Sequence, residues 1–144
     1  YIEMGFHAIC RPPRSKYDEH KLANVVHIPH YGDVRRQPVS FPNARGYNLV
    51  GSYYAPFEKI ADPACIIYLH GNASCQLEGT FLVNIFCPAG VSVLCFDSCA
   101  CGHSEGEYIS LGYFESDDVS SAIALLRVQY GIHRIALWGR SMGS

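Results

Sequence analysis

Neither sign of charge dominates this sequence. Eleven Lys and Arg stand against thirteen Asp and Glu, a formal net charge of −2. That balance offers a polyanion no field to follow, and the basic residues are scattered, so no nucleic acid is expected as a partner. Arg11, Arg14 and Lys16 gather around Pro12-Pro13, a grouping that reads as a solvated loop. Any C-x-x-C pair is also missing. The seven cysteines include one C-x-C, Cys99-Ala100-Cys101, without a second ligand pair, so no metal site is expected. Cys65 and Cys95 fall inside apolar runs and read as small buried hydrophobes. This usage fits a reduced, cytoplasmic protein better than a disulfide framework. No pattern asks for a cofactor.

A clean membrane-spanning run is absent too. Gly79 to Phe96 carries no charge over 18 positions, but Asn84, Pro88, Gly90 and Ser92 interrupt it. Pro88-Ala89-Gly90 is turn chemistry, so the stretch reads as the end of a helix, a turn and a strand. No signal-peptide pattern stands at the start. The first residue is Tyr1, which leaves a preceding targeting segment open. What is present is a globular composition: 144 residues, 49% hydrophobic and 17% charged, enough for one domain with a real core.

Residues 1–23, with Pro12, Pro13 and mixed charges, read as an N-terminal segment that is mostly loop. Asn24 to Ile28 and Tyr47 to Tyr54 follow as strand-like runs, with turn residues at 41–46 between them, and are expected to pair antiparallel. The pattern then changes. Cys65 to Leu69, Val91 to Phe96 and Ile135 to Trp138 are short, continuously apolar runs, as strands covered on both faces must be. Between them, Leu77, Phe81, Leu82, Ile85 and Phe86 recur at helical spacing. So do Val119, Ala122, Ile123, Leu126 and Tyr130, with Glu115, Asp117 and Asp118 at the positive end and Gly131 as the stop. Strand, helix, strand, helix, strand predicts an α/β fold: a mostly parallel sheet with an antiparallel start.

In such sheets ligands gather beyond the carboxyl ends of the strands. Those ends read "HGN" at 70–72, "DSCACGHSEG" at 97–106 and "GRSMG" at 139–143. The last is G-x-S-x-G directly after an apolar strand, the context of a nucleophile elbow. There Ser141 is the expected nucleophile and the Met142 backbone N–H an oxyanion donor, with Gly139 and Gly143 small enough to flank a tight turn. By the same logic Gly71 lets the first loop turn and Asn72 N–H supplies a second donor. His70 reads as a loop-supporting histidine rather than a base, and Asp97 as a carboxylate that ties its own loop together. His103 sits on an exposed loop, and His7, His20, His27, His30 and His133 show no usable spacing.

The ordered set "YLHGNAS", "FDSCACGHSEGEYISLGYFESDDV" and "LWGRSMGS" resembles the serine hydrolases of the α/β-hydrolase superfamily, in particular the α/β-hydrolase-domain protein depalmitoylases and related small eukaryotic hydrolases. "RPPRSKYD" near the start is similar to the same subgroup. The family's D-x-x-G-x-G-x-S loop departs here at Ala100, which takes the place of its first glycine. The resemblance implies an acyl-enzyme hydrolase acting on an ester or thioester, with an acylated protein and a membrane surface as candidate partners. It also implies the order nucleophile, acid, histidine. Only Ser144 follows the elbow's last glycine, so residues 24–144 are expected to be the N-terminal half of the domain. The triad acid and histidine would be absent from this chain, which alone is expected to be inactive. Alternatives are a non-catalytic binding or regulatory module, or a peptidase or lipase of the same fold.

Overall fold

The runs Cys65 to Leu69 and Val91 to Phe96 are apolar without alternation because both of their faces are covered. Ile135 to Trp138, expected to be covered as well, lies on the last strand of the sheet with Leu137 and Trp138 exposed. The computed structural model describes residue 5 and residues 13–144. It contains six strands among the described residues: β1 Val25–Ile28, β2 Gly32–Pro42, β3 Asn48–Tyr54, β4 Ala64–Leu69, β5 Val91–Phe96 and β6 Arg134–Gly139. Within residues 13–144 two α-helices accompany them, α1 Leu82–Phe86 and α2 Glu115–Tyr130. The strands form one sheet in the order β1-β2-β3-β5-β4-β6. β4 pairs parallel with β5 and with β6, while β1, β2, β3 and β5 pair antiparallel in succession. The mixed α/β sheet expected from the sequence is therefore the one observed.

Alternate residues of the central strands feed two cores. Cys65, Ile67, Leu94 and Phe96 face Ala122, Leu125 and Leu126 of α2. Ile66, Tyr68, Val93 and Cys95 face Leu82 and Val83 of α1. Burial raises the thiol pKa of Cys65 and Cys95 and pushes those of Cys87 and Cys101 up to about 12, so these cysteines pack rather than react.

The expected antiparallel pair is corrected. β1 does not meet β3; an eleven-residue strand, β2, lies between them and pairs with both. Its sequence, "GDVRRQPVSFP", hides it because no single face is apolar. Val34 packs on the α1 side of the sheet, whereas Val39 and Phe41 pack on the α2 side. Pro38, which argues against a strand interior, is tolerated because pairing with β1 stops at Arg35 and, among the described residues, the rest of that edge meets no partner strand.

The first predicted helix is shorter than its spacing suggests. Gln76–Gly79 is a 3₁₀ turn, and only Leu82–Phe86 is α-helical before a second 3₁₀ turn at Cys87–Ala89. Phe81 and Ile85 stay exposed, while Leu82, Val83 and Cys87 are buried. Pro88 cannot donate to a continuing helix, and Gly79 runs hard against β4, where a Cβ would lie 2.4 Å from the Tyr68 ring. α2 is as expected, with Glu115, Asp117 and Asp118 in its first turn and Gly131 ending it at φ 64°. Among the described residues no helix is long and apolar enough to cross a membrane.

Candidate active site

Parallel pairing of β4 with β5 and β6 brings their carboxyl ends to one rim. Leu69 lies opposite Gly139, so the loop after β4 and the turn after β6 leave the sheet side by side. The Arg140 N–H donates to Leu69 O at 3.1 Å across that gap. Ser141 follows immediately, in the left-handed region at φ 54°, where a residue with a Cβ is strained by about 1–2 kcal/mol. The turn closes with Gly143 N–H donating to Arg140 O and Ser144 N–H to Ser141 O, both at 3.0 Å.

The two glycines of the motif are fixed by close approach. A Cβ on Gly139 would lie 2.0 Å from Gly143 O, and one on Gly143 would lie 2.2 Å from Leu69 O. Neither position has room for a side chain. Gly71 sits across from the turn: a Cβ there would be 3.7 Å from Arg140 O and 3.8 Å from the Ser141 Cβ. The loop after β4 bends through Ala73 at φ 53°, with Ser74 N–H donating to Gly71 O. The N–H groups of Asn72 and Met142 take no part in these turn bonds.

His70 is almost fully buried, with both ring nitrogens engaged by the loops around it. Its Nδ1 lies 2.8 Å from Gly71 O and its Nε2 accepts from Ser98 N–H at 3.0 Å, which places the ring proton on Nδ1. His103 directs Nε2 to Tyr17 O at 3.0 Å. Both rings therefore brace loops. Below the rim on the α2 side, a pocket of about 310 Å³ is lined by Leu69, His70, Val119, Leu137 and Met142.

Asp97 binds its own loop and more. It is fully buried and accepts from Tyr17 Oη at 2.6 Å, Gln76 N–H at 2.7 Å and His103 N–H at 3.0 Å. Gln76 continues the chain of bonds to Tyr17 Oη and to Ser52 Oγ. Arg14 donates to the carbonyls of Gly102, Ser104 and Gly106. It is a bound clasp, not the solvated cation its sequence context suggests. Arg11, Pro12 and His7 lie outside the described residues. Ala100, which stands where the resembled loop pattern has its first glycine, has φ 65°, so this departure sits where glycine is favoured.

Glu78 was not expected at the site. Its Oε1 accepts from Tyr68 Oη at 2.8 Å, Arg140 Nη1 at 3.2 Å and Gly71 N–H at 3.4 Å, and its Oε2 accepts from Ser74 Oγ. Burial pushes its carboxyl up, but the hydrogen bonds from Ser74, Tyr68, Arg140 and Gly71 outweigh it and hold the group below its ordinary value. A signal was available in the sequence: Glu78 is the single Asp, Glu, Lys or Arg between Asp62 and Asp97.

This architecture is found in solved hydrolases. The esterase Pf2001 of Pyrococcus furiosus superposes with a TM-score of 0.72 at 24% identity, over 92% of this chain and 49% of that one. The chain has the α/β-hydrolase fold. XC6422 of Xanthomonas campestris, described as an α/β serine hydrolase without a lid, aligns with a TM-score of 0.59 at 22% identity, over 75% of this chain and 51% of that one. In sequence, the uncharacterized protein YqkD of Bacillus subtilis is 33% identical over 105 residues, covering 72% of this chain and 33% of YqkD. The chain thus spans about a third of that relative and about half of the esterase. It matches no protein-family model.

Proposed function

We propose that the whole protein is a serine hydrolase that cleaves an ester or thioester through an acyl-enzyme, with Ser141 as nucleophile. The observation that carries this reading is the strained Ser141, held at φ 54° between two glycines that admit no Cβ and facing the Gly71 loop. Strain of this kind concentrates where a side chain must be presented to a reacting group. In the proposed step a base takes the Ser141 proton and Oγ bonds to the acyl carbon. The carbonyl electron pair moves onto oxygen, where the Asn72 and Met142 N–H groups receive it. Collapse breaks the bond to the alkoxide or thiolate, which leaves with the proton, and water then releases the acid.

His70 and His103 are both engaged in bracing loops. The base and its acid are therefore assigned to residues of the whole protein outside these 144, and the 144-residue chain alone is expected to turn over no ester. Peptidases and lipases share such machinery. Pf2001 is described as an esterase, which favours ester chemistry. An S-acylated protein at a membrane surface is the substrate that the depalmitoylase resemblance adds. A fluorophosphonate probe should label the full-length wild type and not Ser141→Ala; equal labelling of both overturns the assignment. Faster release of acid from an S-palmitoyl peptide than from a short-chain ester would support the thioester reading, and the reverse would remove it.

A further inference from the structure

The geometry points to Glu78 as a positioning residue that fixes the oxyanion loop against the nucleophile turn through its ion pair with Arg140. This inference rests on the reading of Ser141 as nucleophile, and concerns what holds the second half of that site in place. One carboxylate oxygen, Oε1, receives both the Gly71 N–H and the Arg140 guanidinium. Gly71 immediately precedes Asn72, and Arg140 immediately precedes Ser141. A single atom therefore joins the residue before the proposed donor to the residue before the proposed nucleophile.

The rest of the carboxylate is anchored to more rigid parts. Tyr68, which donates at 2.8 Å, is a buried residue of β4, and Ser74 ties the far side of the same loop to Oε2. The Glu78 side chain is 15% exposed, whereas the Arg140 side chain is 69% exposed and reaches in from the surface. Beyond this pair, Arg140 N–H to Leu69 O bonds the turn to the end of β4. That bond fixes the start of the turn but not the bend at Gly71-Asn72. An oxyanion hole built from N–H groups on two loops works only if their spacing is held to a fraction of an ångström. Glu78 spans that spacing.

Glu78→Gln keeps the shape and removes the charge, and Arg140→Gln removes the partner from an exposed position where folding is not at stake. In the full-length protein each should lower kcat for an activated acyl ester about 10- to 100-fold, the scale of a misplaced catalytic group, with KM changed less than about twofold. Affinity for a boronic acid, which mimics the tetrahedral adduct, should fall by a similar factor. The double variant should fall no further than either single one. Unchanged kcat in Arg140→Gln, or losses that multiply in the double variant, overturns the inference. Fluorophosphonate labelling of the wild type at Ser141 keeps the two readings apart. Labelling with no kinetic effect of Arg140→Gln rejects the Glu78 role alone, and failure to label rejects the nucleophile itself.

Discussion

Tyr17 donates its hydroxyl to Asp97 at 2.6 Å, joining two buried residues 80 positions apart. Through that bond the segment before β1 is fastened to the loop after β5, and through Gln76 to the loop after β4. Tyr17→Phe should cost about 1.5–3 kcal/mol of stability at neutral pH, the scale of a hydrogen bond to a charged acceptor. Burial first, and Asp97 beside it, raise the Tyr17 pKa above its ordinary 10.0. A raised folded-state value means its contribution is whole below pH 10 and fades as pH rises above it. Urea unfolding across the alkaline range should show a loss in the wild type that Tyr17→Phe flattens.

Gly143→Ala should break the turn. The new Cβ would meet Leu69 O at 2.2 Å, and that carbonyl belongs to a strand paired on both sides. The elbow must move instead, at a cost of about 1–3 kcal/mol in an overpacked site. The expected result is a lower midpoint of thermal unfolding together with loss of fluorophosphonate labelling at Ser141.

Ala100→Gly should act in the opposite direction. Ala100 holds φ 65°, and relief of that strain should stabilise the protein by about 0.5–1 kcal/mol after the added freedom of the unfolded chain is subtracted. Differential scanning calorimetry would register a higher midpoint with labelling at Ser141 retained; a lower midpoint contradicts the strain reading.

Glu115 governs acid stability at the start of α2. Its carboxylate accepts from Ser110 N–H at 2.8 Å, Ser110 Oγ at 2.6 Å and Gly112 N–H at 2.8 Å. Burial pushes its pKa up, yet these bonds prevail and set it below the ordinary 4.5. The contribution is therefore present above 4.5 and lost as pH falls through the lowered folded value. Glu115→Gln should destabilise by about 1–2 kcal/mol at neutral pH. The difference from wild type should shrink when urea midpoints are compared on the acid side of that window.

The legible parts of the sequence were those written locally. The apolar runs of β4 and β5, the acidic first turn of α2 and the tight turn at Gly139–Gly143 are each written within a few positions, while β6 was legible as a strand but not as an exposed one. β2 was not legible because its apolar residues change faces midway, Val34 on one side and Val39 and Phe41 on the other. α1 was overread because Phe81 and Ile85 keep helical spacing while staying in solvent. Arg14, Tyr17 and Glu78 escaped for another reason. Each acts on a partner that only the folded topology brings near, and Arg14 reaches carbonyls 88 to 92 residues away.

β3 and β4 follow one another in the chain but do not pair, since β5 lies between them. During synthesis both would leave the ribosome before the strand that separates them. Until residues 91–96 arrive, each has an open edge facing the space its partner will fill, and direct pairing of the two would be an early wrong turn. The connection from β4 through α1 therefore sets a timing problem as well as a topology. A slow folding phase that lengthens when α1 is weakened, as by Leu82→Ala, would be its signature.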